Sequence, residues 1–191
     1  MSDQKAILRA IYADKQVGER FEFGHYPQGS NGEVYPITWR VLRCDSDGLF
    51  VVSDKVLDVK PFNEKLCYVD WGDCTLRRWL NNEFFNSAFD KDERSLIGFV
   101  SLLSRDEALH FFNDEERMCL PTIFALTKKL RCGILSSGEF GARMAAVWWT
   151  RDEVEEERLQ SAITYCHGFA FNYYDVDDEY CGVRPAIKLI T

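Results

Sequence analysis

Pro36-Ile37-Thr38-Trp39-Arg40-Val41-Leu42-Arg43, followed by Asp45-Ser46-Asp47-Gly48 and Leu49-Phe50-Val51-Val52, is the stretch whose reading decides the fold. Ile37, Trp39 and Val41 recur at every second position with Thr38 and Arg40 between them, the period of a strand with one buried face. Asp45 to Gly48 supplies turn chemistry, and the four apolar residues after it read as a buried strand. Just upstream, Arg20 to Phe23 alternates in the same way. Gly24-His25-Tyr26-Pro27-Gln28 and Gly29-Ser30-Asn31-Gly32 then turn the chain. Three short strands joined by tight turns predict an antiparallel meander.

Outward from this meander the period changes. Residues 2–15 predict a short helix capped by Ser2, with Ile7, Leu8, Ile11 and Tyr12 on the side that docks on the body. Lys55 to Glu64, with Pro61, reads as a loop. From Cys74 to Phe89 the residues Leu76, Trp79, Leu80 and Phe84 fall at helical spacing, with Asp73 as the expected cap and Arg77 and Arg78 off the apolar face. Asp90-x-x-Glu93 and Ser104-x-x-Glu107 are capping boxes, and Ala108, Leu109, Phe111 and Phe112 are expected to pack inward. Another helical turn follows Pro121-Thr122. Gly133 to Gly141 reads as an exposed loop.

The strand pattern then returns. Ala145 to Thr150 is apolar and aromatic, and residues 151–160 predict a short exposed helix. Ile163, Tyr165, His167, Phe169 and Phe171 alternate on one face, opposite Thr164, Cys166 and Ala170. Val183 to Ile190 predicts a last strand, with Pro185 at its start or on a sheet edge. The order of strands, helices and strands predicts a single α+β domain over residues 1–191, with helices on one side of antiparallel sheets.

The chain of 191 residues is 46% hydrophobic and 14% aromatic, enough for a substantial core. Its formal net charge of −8 argues against a nucleic-acid partner, which needs a cationic face. No apolar run approaches the length of a membrane span and Met1-Ser2-Asp3-Gln4-Lys5 opens no apolar signal region behind a basic start, which predicts a soluble cytoplasmic protein with no membrane partner. The seven cysteines are odd in number and form no C-x-x-C pair, so free thiols in a reducing compartment are expected and a structural zinc is not.

Six motifs recur in one order: Phe23-Gly24-x-Tyr26-Pro27-Gln28, Pro36-Ile37-x-Trp39-Arg40-Val41-Leu42, Leu76-Arg77-x-Trp79-Leu80-Asn81, Leu102-Leu103-Ser104, Trp148-Trp149-x-Arg151 and Gly182-Val183-Arg184-Pro185-Ala186. On these residues the chain, from about Phe21 to Leu189, resembles the uncharacterised bacterial family called domain of unknown function 6273. That family is similar in its closing elements to C-type-lectin-like folds, including relatives of the formylglycine-generating enzyme and the variable proteins of diversity-generating retroelements. The resemblance implies a compact lectin-like domain whose late loops and strands display a ligand surface, and it implies no reaction. Two departures fall on that surface. Arg151 runs into Asp152-Glu153-Val154-Glu155 where relatives carry Ser-Pro-Gly, and the approach to Gly182 is acidic and cysteine-bearing.

The candidate ligand residues are therefore Trp149, Arg151, Asn172, Tyr173, Tyr174, Asp175 and Arg184. Rings give contact area at low entropic cost, and Tyr adds a hydroxyl. Arg151 and Arg184 either clamp an anion together or serve structurally, stacked on Trp148 or Trp149 or paired with an internal acid. Asp175, Asp177, Asp178 and Glu179 have oxygens spaced as a calcium loop uses them, but the full calcium pattern is missing and a solvated acidic turn is favoured. Cys166 and His167 are neighbours on a strand and point to opposite faces, so they form no dyad; Cys181 and His167 would have to meet across strands. The expected function is a non-enzymatic recognition module for a protein or small-molecule ligand, without a cofactor. Two other classes stay open: a cysteine-dependent oxidase or hydrolase, and a structural subunit of a bacterial or phage assembly.

Overall fold

Gly48 closes the central hairpin at φ +142°, and a Cβ added there would stand 1.8 Å from the Leu189 carbonyl oxygen. Only glycine accepts both the backbone angle and the close approach of the neighbouring strand. The computed structural model describes residue 10 and residues 12–138, 141–152, 159–163 and 171–190. Around this turn β1 (Arg20–Pro27), β2 (Val34–Asp45) and β3 (Gly48–Ser53) form the expected antiparallel meander. Two strands from later in the chain, β12 (Ala186–Ile190) and β5 (Ile97–Ser101), extend it to the order β1-β2-β3-β12-β5.

Register explains why β3 is apolar throughout. Val41, Val51, Ile187 and Val100 are aligned across four strands. They enter one buried cluster with Ile37, Trp39, Leu80, Phe84 and Trp149. Leu42, Phe50, Val52 and Ala186 enter a second cluster with Ala108, Phe112, Ala125 and Trp148. The sheet is thus covered on both faces, and side chains of either parity in β3 must be apolar. Helical residues enter both clusters.

Residues Thr75–Trp79 form α1, which runs through a π-helical turn at Leu80–Phe84 into α2 (Phe85–Ala88). Leu76, Leu80, Phe84 and Ala88 are all buried, the stripe that the helical spacing predicts. The cap is Cys74, whose Sγ accepts from Arg77 N at 3.3 Å, and not Asp73. Both expected capping boxes are present, Asp90 with Glu93 heading α3 (Lys91–Arg94) and Ser104 with Glu107 heading α4 (Arg105–Phe111). A third, Asn113 with Glu116, heads α5 (Asp114–Arg117), and Thr122 caps α6 (Ile123–Thr127). Leu109 does not pack inward: it is 45% exposed, because in so short a helix Ala108 and Phe112 take the buried stripe.

A second sheet has the order β10-β9-β8-β11-β4, from β4 (Asp58–Val59), β8 (Trp148–Trp149), β9 (Leu159–Ile163), β10 (Phe171–Asp175) and β11 (Gly182–Val183). Its pairs are antiparallel except β8 with β11. Several expectations are corrected here. The segment 55–64 contains β4, and Gly133 to Gly138 together with Gly141 fall in a hairpin of β6 (Cys132–Gly138) and β7 (Gly141–Ala146). Residues 159–160 are strand, not helix. The final strand is two strands, because Arg184-Pro185 carries the chain from the second sheet into the first. Pro185 precedes β12, which is central; its missing N–H falls just outside the ladder while its carbonyl accepts from Ser53 N at 2.9 Å.

The expected N-terminal helix lies mostly outside the described residues; Tyr12 is helical and its ring sits 5.0 Å from Phe21. The faces assigned to Tyr165, Phe169 and their neighbours also lie outside them. One buried polar network ties the parts together. The Tyr26 hydroxyl donates to Asp58 Oδ2 at 2.5 Å, while Lys128 Nζ and Val59 N each donate to Oδ1 at 2.7 Å. It joins β1, β4 and the end of α6. Among the described residues no helix is long and apolar enough to cross a membrane.

Candidate functional site

The capping box at Ser104 builds the site from local chemistry. Glu107 turns back so that Oε2 accepts from Ser104 N at 2.8 Å, and its other oxygen is left facing outward from the helix start. Arg151, arriving from β8 with its N–H on Leu103 O at 3.0 Å, donates through Nη2 to that second oxygen at 2.7 Å. The next residue, Asp152, accepts from Arg105 N at 2.6 Å. Arg105 Nη1 in turn lies 3.5 Å from the Tyr173 hydroxyl on β10. Three separate segments therefore meet in a rim of Arg105, Glu107, Arg151, Asp152 and Tyr173. Asn172 and Asp175 are exposed on the same strand as Tyr173.

Two expected members of this surface lie inside instead. Trp149 is 0% exposed, its Nε1 donates to Lys60 O at 2.8 Å, and its ring packs on Phe62 and Tyr174. Successive residues of a strand point opposite ways, so Trp148 fills one cluster and Trp149 the other. Arg184 is 3% exposed, with its guanidinium 4.7 Å from the Phe112 ring and 5.0 Å from Trp148. Its Nε donates to Ser53 O at 3.0 Å and Nη1 has no partner among the described residues; enclosed in this way, it makes no surface clamp with Arg151. Burial lowers its pKa. Tyr174 is half-buried beneath the Arg131 guanidinium at 4.3 Å, and burial, first, raises its pKa.

The acidic turn is partly committed elsewhere. Asp178 pairs with Arg131 at 2.9 Å, and Val176 between the acids is buried. Among the described residues no group of three or more His, Cys, Asp or Glu side chains is placed to hold a metal ion. Cys166 and His167 lie outside the described residues. Cys181 is buried, and desolvation, joined by the charge of Asp178, pushes its thiol far above the ordinary range against the pull of Arg131. Burial also raises the Cys119 thiol and pushes Cys74 up to about 11. Since the thiolate is the reactive form, these three are protected. Alkylation near neutral pH is expected to reach the exposed Cys44 and Cys67 first and the buried three at least about ten-fold more slowly, read by mass spectrometry of the digested protein. A single thiol outpacing Cys44 and Cys67 would reverse this conclusion.

Sequence reasoning missed Arg105, Glu107 and Asp152 as site residues. The Ser104-x-x-Glu107 signal was legible as a cap, but its second use, holding Arg151, depends on where β8 ends. No curated protein and no solved structure matches the chain. The segment from the central turn through α6, residues 46–129, matches the model of the family described as domain of unknown function (DUF6273).

Proposed function

We propose that the protein is a non-enzymatic recognition module with a lectin-like domain, working in the cytoplasm and taking a protein or small-molecule ligand at the rim of Arg105, Glu107, Arg151, Asp152 and Tyr173. The observation that carries this reading is Tyr173. It is 46% exposed, yet its hydroxyl meets a guanidinium whose own backbone is tied to Asp152. An aromatic ring held this way presents apolar area and an oriented polar tip with little entropy left to lose on binding. The paired charges around it supply both signs for complementarity. Among the described residues, the burial of Cys74, Cys119 and Cys181 favours recognition over chemistry at those thiols.

The test places a photo-crosslinking side chain at position 173. In extract of the source cells one dominant crosslinked species is expected, and excess wild-type chain should abolish it while Tyr173→Ala chain should not. The substitution should change stability by no more than about 0.5 kcal/mol, as exposed positions do. Equal competition by Tyr173→Ala overturns the proposal. Crosslinks to the chain itself overturn it in favour of an assembly subunit.

A further inference from the structure

A depression of about 400 Å3 runs beside α1, lined by Gly72, Asp73, Cys74, Arg77, Arg78 and Asn81. It shares no residue with the rim around Tyr173. Two adjacent arginines line it, in a chain whose net charge is −8. Arg77 is anchored, since Nη1 donates to Gly72 O at 2.8 Å, and among the described residues its other guanidinium N–H groups make no hydrogen bond. The Arg78 side chain is exposed and makes no hydrogen bond or ion pair among the described residues. Asn81 is fixed by its Nδ2, which donates to Arg77 O at 2.9 Å and Val100 O at 3.2 Å. Among the described residues Asp73 is the one carboxylate in the lining, so two guanidiniums outweigh it.

Past Arg78 the depression adjoins a second one of about 160 Å3, lined by Lys60, Glu64, Trp79 and Glu83 among others, with Lys60 Nζ 5.1 Å above the Trp79 ring. This neighbour carries both charge signs and an aromatic wall. Just beyond the arginines the helix passes through its π-helical turn, a distortion that recurs at functional sites.

We infer that Arg77 and Arg78 form a binding site for the oxyanion of a small molecule, a phosphate or a carboxylate, whose body extends past Arg78 into the neighbouring depression beside Lys60 and Trp79. Planar guanidinium forks suit both oxyanions.

Calorimetric titration of the chain with inorganic phosphate and with citrate, at constant ionic strength kept by sodium chloride, tests this. Saturable binding of at least one is expected, and the preferred anion tells a phosphate from a carboxylate source. Arg78→Gln should weaken it about ten-fold or more, with partial recovery in Arg78→Lys and no change in the rim variant Arg105→Gln. Thermal melts matching the wild type establish that the variants fold. Absence of binding by both anions tighter than about 10 mM overturns the inference. So does an undiminished affinity in Arg78→Gln, or loss in Arg105→Gln equal to that in Arg78→Gln.

Discussion

Asp58→Ala is expected to destabilise the protein by about 3–5 kcal/mol, the cost of breaking a buried ionic network from its centre. Asp58 is 1% exposed and serves three donors at once, the Tyr26 hydroxyl, Lys128 Nζ and the Val59 N–H. Removing it strands a buried hydroxyl and a half-buried ammonium. Burial, with the Asp58 charge next, pushes the Tyr26 pKa upward, so the phenol stays a donor at every ordinary pH. Removing a peripheral member should cost less. Tyr26→Phe leaves Asp58 two donors and should lose about 1–2 kcal/mol, and Lys128→Met should lose less than the aspartate change because the lysine head is partly in water. Urea unfolding of the three variants gives the order. If Asp58→Ala falls within about 1 kcal/mol of wild type, the network does not hold β1, β4 and α6 together.

Trp149→Ala should cost a similar amount, about 3–5 kcal/mol, by emptying the space between Phe62 and Tyr174 and leaving Lys60 O without its indole donor. In a chain of this length, 191 residues, that lowers the melting temperature by roughly 10 °C. Trp149→Phe keeps most of the ring volume and should recover more than half of the loss. The comparison with Tyr173→Ala is the informative one, since both residues were candidates for one ligand surface. Calorimetric melts should show a large shift for Trp149 and almost none for Tyr173. Equal shifts would mean that Tyr173 is structural too, and the recognition surface would lose its central ring.

Much of the architecture was legible because it follows from local rules. The two-residue period from Ile37 to Val41 and the unbroken Leu49 to Val52 announced the meander. Asp90 and Ser104 announced two helix starts, and the four-residue spacing of Leu76, Leu80 and Phe84 announced a buried stripe. Short elements were the ones missed. Two residues of β4 leave no periodicity to read, and the glycine- and serine-rich strand β6 looks like a loop because its pairing with β7 is what makes it a strand.

The site divides along the same line. Local pattern alone shows that the closing segment carries rings, guanidiniums and acids, and that Ser104 and Glu107 begin a helix. It could not determine which of these groups face water. That choice was made by tertiary structure: β8 is covered on both sides, so Trp149 is drawn inward with Trp148, and Pro185 lifts the chain between sheets so that Arg184 is enclosed by Phe112 and Trp148. Tyr173 stays outside, and Arg151 reaches Glu107 only because Leu103 and Arg151 are joined by a backbone hydrogen bond across 48 positions of sequence. Burial is a property of what lands opposite a residue, and contacts between distant segments are not written in the neighbours along the chain.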